Sequence, residues 1–426
     1  MVPRRFYPVM AMLALLGLLL AACAPAATPT PTAAPPTPAP GPTPTAPKKV
    51  TITIWHQWDG KYLDAITQVF KDYEAAHPGV TIDLSRPENV MDALRVAIPA
   101  GQGPDIIGWA NDQIGNLALA GLIVPLNEHG ITEDFLKNTY VEVAAKAVIY
   151  QGKIWALPET MEGIGLVYNK ALVTPEFLPT DPMNFDDLLA KARAFAEKNP
   201  GKFLVCNQGL GGNDPYHVAP IYFGFGVPSY VDEEGKVYLN TPEALKAAQW
   251  MLQFREVAPK ETSHDICKSL LTEGKVGAWW TGPWAIADIE AAKIDYGIAP
   301  MGRPFVGIKT LMLSKNAVDR GNVAVALDIM KYFTSAEVQK KLALVNKTIP
   351  AQIQALNDPE VQALPTVKGF GESLKLGVPM ASTPYAAAQW GPVGEATVAI
   401  WTGAQKPEDA LAAAQKAIED AIAQMK

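Results

Sequence analysis

Residues 50–84 read as strand, helix, strand, and that succession constrains the fold more than any other feature of the chain. Val50-Thr51-Ile52-Thr53-Ile54-Trp55 is rich in β-branched residues, which suit a pleated strand. Leu63, Ile66, Phe70 and Tyr73 follow at spacings of three, four and three, so a helix would carry them on one face. Pro78-Gly79 stops that helix, and Val80-Thr81-Ile82-Asp83-Leu84 reads as the next strand. A helix filling the crossover between two strands predicts that they pair in parallel.

The alternation continues. Val90, Met91, Leu94 and Ile98 mark another helix, and Asp105-Ile106-Ile107 another strand. Leu117 to Ala120 closes a short helix, with Gly121 in the usual place just beyond the last turn. A second region begins near Gly152 and carries the strand Gly165-Leu166-Val167-Tyr168-Asn169-Lys170. Helical patterns follow at Phe185 to Lys198, Pro242 to Val257, Val323 to Phe333 and Pro407 to Met425. With 426 residues, 49% of them hydrophobic, the expectation is two α/β lobes with cores of their own.

The N-terminus reads as a processing segment. Arg4 and Arg5 precede an apolar run from Val9 to Leu20 that is short for a membrane span and ends in small residues. Residues 24–47 are almost wholly Ala, Pro, Thr and Gly, a composition that cannot bury a core and favours an extended spacer. The net charge of −7, without a dense basic run, argues against nucleic acid as a partner. The five histidines are scattered, no Cys-x-x-Cys pair occurs, and no metal site or cofactor is expected. Cys206 and Cys267 are either a disulfide or two buried thiols.

The segment "GQGPDIIGWANDQ", 101–113, is not ordinary core. It puts Trp109 and Asp112 just past a strand's end, where parallel α/β sheets gather ligands. Gln57, Trp58 and Asp59 follow the first strand in the same way. A flat aromatic face beside a carboxylate suits a pyranose, whose C–H faces are apolar and whose equator carries hydroxyls. The bland alternative makes Trp109 core and Asp112 a helix cap.

At "GQGPDIIGWANDQIGNLALAGLIVPL" the chain resembles the maltose/maltodextrin-binding proteins, the family 1 extracellular solute-binding proteins of ABC sugar importers. The resemblance extends to "YQGKIWALPETMEGIGLVYNKAL" (150–172), "GAWWTGPWAIADI" (277–289), "IDYGIAPMGRPFVGIKTLMLSKNA" (294–317) and the tail around Trp390, in the family's order. It implies a periplasmic-binding-protein-like type II fold: two α/β lobes joined by hinge segments around a ligand cleft. The N-lobe would be 49–160 plus 310–358, and the C-lobe 161–309 plus 359–426. Glu159-Thr160-Met161 and Ile308-Lys309-Thr310 would be hinges.

By the same resemblance, Trp109, Tyr216, Trp284 and Trp390 would stack on sugar rings, while Asp112 and Glu162 accept from hydroxyls. Asp214, one methylene shorter than the family's glutamate, and Gln57, Trp58 and Asp59 complete the expected contacts. Gly60 and Gln113 stand where the family has basic residues, a departure that touches the maltose assignment more than the fold. The sequence Leu20-Ala21-Ala22-Cys23 resembles a lipobox, implying a signal peptide over 1–22, a lipidated Cys23, a linker over 23–48 and an outward-facing membrane anchor. The expected protein is a monomeric, non-enzymatic receptor that hands maltodextrin-type oligosaccharides to ABC permease subunits. Two rivals stay open: a secreted glycosidase, which needs a rigid carboxylate pair such as Glu159 and Glu162 would have to supply, and the same receptor with another sugar or a polyamine as cargo.

Overall fold

The computed structural model describes residues 49–425; the leader, Cys23 and the Ala/Pro/Thr segment lie outside them. The strands are β1 (Val50–His56), β2 (Val80–Ser85), β3 (Ile106–Ala110), β4 (Ile149–Tyr150), β5 (Lys153–Ile154), β6 (Ala156–Glu162) and β7 (Gly165–Asn169). They continue with β8 (Phe203–Cys206), β9 (Val276–Thr281), β10 (Tyr296–Ala299), β11 (Phe305–Leu313), β12 (Ile349–Pro350) and β13 (Val378–Pro379).

A seven-stranded sheet runs β12-β6-β11-β3-β1-β2, with β13 beside β11. Strands β2, β1 and β3 are parallel, as their helical crossovers require. The long strand β11 enters antiparallel between β3 and β6, an insertion from more than two hundred residues downstream that local pattern could not foretell. A second sheet, β10-β7-β9-β8, has four strands. The chain passes from the first sheet to the second directly after β6, and returns between β10 and β11.

Helix Gly60–Ala76 buries Ile66, Phe70 and Tyr73 against the first sheet, the face its spacing predicted, and helices Val323–Phe333 and Ala336–Asn346 share that core. Helices Phe185–Lys198, Pro215–Gly224, Pro242–Phe254, Trp390–Thr402 and Pro407–Ala423 pack on the second sheet around Trp280, Phe223 and Phe254. The first core also runs on through Ile286 and Ile289 to Trp279, Cys206 and Cys267, so apolar contact links the two sheets. Cys206 and Cys267 are disulfide-bonded, with Cα atoms 5.6 Å apart, which ties β8 to helix His264–Thr272.

One local expectation needs correction. The strand expected at Asp105 begins one residue later and takes in Trp109, so that Trp109 lies within β3 rather than past its end. Asp105 is occupied differently: its carboxylate accepts from Thr53 N and Asn322 Nδ2 at 3.0 and 2.9 Å, tying the strand's entrance to its neighbours. Gly121 does take the left-handed conformation after helix Ile114–Leu119, at φ +67°.

Candidate functional site

One cavity is lined by strand ends of both sheets and by the helices and turns that follow them. The cavity has a volume of about 910 Å³ and opens between the strand ends of β1 and β3 on one side and the helix starts of the second sheet's layer on the other. Gln57, Trp58, Asp59, Trp109, Asp112, Glu162, Asp214, Tyr216, Trp284 and Trp390 all line it, so the structure brings every sequence-predicted ligand contact to one place.

On the first wall, Trp109 stands opposite Thr310 of β11, and Thr310 Oγ1 donates to the Trp109 carbonyl at 2.9 Å. Asp112 sits in the single turn Asn111–Gln113 that follows. Its Oδ2 accepts from Gln113 Nε2 at 2.6 Å and from Trp390 Nε1 at 2.8 Å. Burial pushes its pKa up to about 6, only partly offset by these two neutral donors. Asp59 is exposed, caps helix Gly60–Ala76 through the Gly60 N–H and pairs with Arg86 at 2.5 Å. Gln57 Nε2 is buried without a partner.

Trp58 contributes an edge rather than a platform. It is 1% exposed, stacks on His56 at 4.9 Å, packs on Phe70 and Phe333, and donates from Nε1 to Glu159 at 3.1 Å. Glu159 also accepts from Tyr62 at 2.9 Å and does not line the cavity. Burial raises its pKa to about 7, against the opposing charge of Lys309.

On the second wall the functional side chains sit at helix or turn starts. Asp214 caps helix Pro215–Gly224, accepting from His217 N at 3.3 Å and from Gln208 Nε2 at 2.8 Å, with His217 Nδ1 2.7 Å from Oδ2. Burial would raise its pKa, but the His217 charge and these donors together hold it at about 2. Tyr216, one residue into the helix, stacks on Phe305 at 5.8 Å and donates to the Glu162 carbonyl at 3.1 Å. Trp284 lies in the turn Pro283–Ala285 after β9, 6.0 Å from Tyr216. Trp390 opens helix Trp390–Thr402 and meets Phe305 edge-on at 5.8 Å. The rings of Trp109, Tyr216, Trp284 and Trp390 are all half-buried, which leaves part of each to a ligand.

Glu162 closes β6 at the passage between the sheets. Its Oε1 accepts from Thr160 Oγ1 at 2.6 Å and lies 3.4 Å from Lys309 Nζ, while Oε2 is buried and unpartnered. The walls touch beside the cavity. Asn111 Nδ2 donates to the Met380 carbonyl and to Ser382 Oγ, both at 2.8 Å. At Gly115 a Cβ would stand 2.4 Å from backbone atoms of Thr383 and Pro384, so only glycine allows this approach.

Sequence reasoning missed Lys309, Arg86, Lys268, Gln208, His264 and Asp288 as lining residues. Lys309 had a signal, a lone cation among the apolar residues of a strand; the others sit in segments whose pattern is that of ordinary surface. Among the described residues no group of three or more His, Cys, Asp or Glu could hold a metal ion.

Residues 59–340 match the profile of the bacterial extracellular solute-binding proteins. A maltotriose-binding protein of Pyrococcus abyssi is 31% identical over 356 residues, spanning 80% of this chain and 75% of that relative. A galactooligosaccharide-binding protein of Bacillus subtilis is 25% identical over 358 residues, spanning 79% and 80%. Among solved structures, the maltose/maltodextrin-binding domain from Bdellovibrio bacteriovorus bound to maltotriose superposes with a TM-score of 0.78 at 26% identity, over 88% of this chain and all of that one. A cyclo/maltodextrin-binding protein complexed with maltotetraose gives 0.70 at 28% identity, over 89% and 99%.

Proposed function

The chain belongs to the bacterial extracellular solute-binding proteins, with the type II periplasmic-binding fold, and from that premise we propose that it captures maltodextrin-type oligosaccharides for an ABC importer. The observation that carries the proposal is the gathering of Trp109, Tyr216, Trp284 and Trp390 with the acceptors Asp112 and Glu162 around one cavity of about 910 Å³. That volume is near the upper end for small-molecule sites, which suits several sugar rings better than one. Aromatic faces cover the rings, and carboxylates accept from the rim hydroxyls by charge-assisted bonds.

The lobes are proposed at 49–160 with 310–358 and at 161–309 with 359–426. The hinge segments Glu159-Thr160-Met161 and Ile308-Lys309-Thr310 support this division: they pair directly, Ile308 with Met161 and Lys309 with Thr160, and the register shifts beside Thr310. Aromatic contacts come from both walls, so a ligand that touches both shifts the population towards closure. A permease reading the closed form then receives the sugar. Lipidation of Cys23 would hold the receptor outside the cell membrane, and Cys23→Ala should then leave it in the soluble extracytoplasmic fraction.

A receptor rather than a glycosidase is favoured by the fate of the glutamates. Glu159 is spent on Trp58 and Tyr62 beneath the cavity wall, which leaves Glu162 without that partner for bond cleavage. The deciding experiment is calorimetry with maltose, longer maltodextrins, cyclodextrins, trehalose and spermidine, followed by product analysis after incubation with maltotetraose. Micromolar binding, worth about −8 kcal/mol, to a maltodextrin that is recovered intact is the expected result. Heat with spermidine alone would change the cargo, and cleaved maltotetraose would make the protein an enzyme.

A further inference from the structure

Lys309 stands in the middle of β11, with its side chain 11% exposed. Its ammonium lies 3.4 Å from Glu162 Oε1, 4.2 Å from the centre of the Tyr62 ring and 5.7 Å from that of Trp284. Tyr62 belongs to the helix after β1 and Trp284 to the turn after β9, so one cation touches both walls of the cavity. None of these contacts is a hydrogen bond of normal geometry. Ring faces attract a cation only through their quadrupole, and the carboxylate oxygen at 3.4 Å already accepts from Thr160 at 2.6 Å. Among the described residues the ammonium therefore has no hydrogen-bond acceptor. Beside it, Glu162 Oε2 is buried and has no donor. Lys309 Nζ has donors to spare and Glu162 Oε2 is an acceptor without a donor, side by side in the wall, and an occupant that meets both completes the hydrogen bonding of a long ion pair.

We propose that Lys309 and Glu162 together read two adjacent hydroxyls of one sugar ring, and that Lys309 turns the acidic cavity against amine-bearing cargo. The inference rests on the oligosaccharide reading above and names the residue that selects within it. A hydroxyl both donates and accepts, so one of a neighbouring pair gives its proton to Glu162 Oε2 while the next accepts from Lys309 Nζ. A protonated polyamine has donors only. It donates to Glu162, offers Lys309 no acceptor and brings a like charge against it. Asp59, Asp112, Asp214, Asp265 and Asp288 are all in the lining, and the other lining cations, Arg86 and Lys268, stand against Asp59 and against Asp265 and Asp288, so the acids still outnumber them. The half-buried Lys309 ammonium is the repulsive element beside Glu162.

The test is calorimetry on wild type, Lys309→Met, Glu162→Gln and the double variant, with maltotriose, its 2,3-di-O-methyl ether and spermidine as ligands. The double variant removes both charges and so covers the case in which Lys309→Met alone, leaving Glu162 without its counter-charge, fails to fold. Each single variant is expected to lose tenfold or more for maltotriose, and the double variant far less than the product of the two. Wild type should reject the methyl ether by tenfold or more, the double variant less so. Spermidine should give no heat with wild type and measurable heat with Lys309→Met. Affinity for maltotriose within twofold of wild type in Lys309→Met or in the double variant overturns the inference and leaves the receptor reading standing. A wild type that binds no maltodextrin overturns both.

Discussion

Asp112 on one wall of the cavity and Asp214 on the other have their pKa values moved in opposite directions. Asp112, on the sheet-built wall, has only an amide and an indole for partners, and burial lifts its pKa to about 6. Asp214, on the helix-built wall, has a backbone N–H at a helix start, an amide and the His217 imidazole, and it is held at about 2 against burial. The difference follows from architecture. A strand inside a sheet fixes its side chains through ladders on both edges, so Trp109 and the turn beyond it need no ionic fastening. A wall made of helix starts has unsatisfied backbone donors and needs caps and cross-links to stay in place. The second wall has both, in Asp214 and in the Cys206–Cys267 disulfide.

That contrast can be broken experimentally, most severely at the disulfide. Cys206→Ser with Cys267→Ser opens a loop of sequence separation 61, for which chain entropy predicts a loss of about 4 kcal/mol, to be read from thermal or denaturant unfolding under oxidising conditions. A loss below about 1 kcal/mol would mean that the second wall stands without its cross-link. Trp109→Ala and Trp284→Ala compare a sheet-borne ring with a turn-borne one, and each should weaken maltotriose binding tenfold or more, about 1.4 kcal/mol. Near-native affinity for both would count heavily against the site.

Asp214→Ala should cost about 1 kcal/mol of stability at neutral pH through the lost cap. Because the folded pKa lies below the ordinary value of 3.8, this contribution is complete above about pH 4 and fades as pH falls towards 2, so wild type and variant should converge in acid. Asp112→Asn tests the opposite sign. Between about pH 4 and 6 the folded protein keeps a proton on Asp112 that the unfolded chain releases, so wild-type stability falls as pH rises through that window. The variant lacks this slope and should be the more stable by about 1 kcal/mol at pH 8 while binding sugar less well. Arg86→Ala should matter least. Its pair with Asp59 is half-exposed and screened, and a change within about 0.5 kcal/mol is expected.

Local pattern made much of the site legible. The pair Trp109 and Asp112 stood out at a strand's end, although local pattern left the core-and-cap alternative open until the family resemblance weighed against it, and helix Gly60–Ala76 was legible because its apolar residues recur on one face. Tyr216, Trp284 and Trp390 are another matter. Each opens a helix or short turn, where an aromatic residue has no periodicity to betray it, and only the family resemblance singled them out. Trp58 shows the limit from the other side. Its position after β1 read as a contact, yet its ring is enclosed by His56, Phe70 and Phe333, which no local pattern reveals.

The sequence by itself determined the α/β alternation and the parallel pairing of β1 with its neighbours, because these follow from spacing and residue type over a few turns of chain. Tertiary structure alone decided that Cys206 meets Cys267, that β11 enters the first sheet antiparallel, and that Lys309 faces Glu162, Tyr62 and Trp284 together. Such contacts join segments far apart in the chain. Their energy depends on distance and desolvation in the folded state, and neither quantity is written in the order of residues.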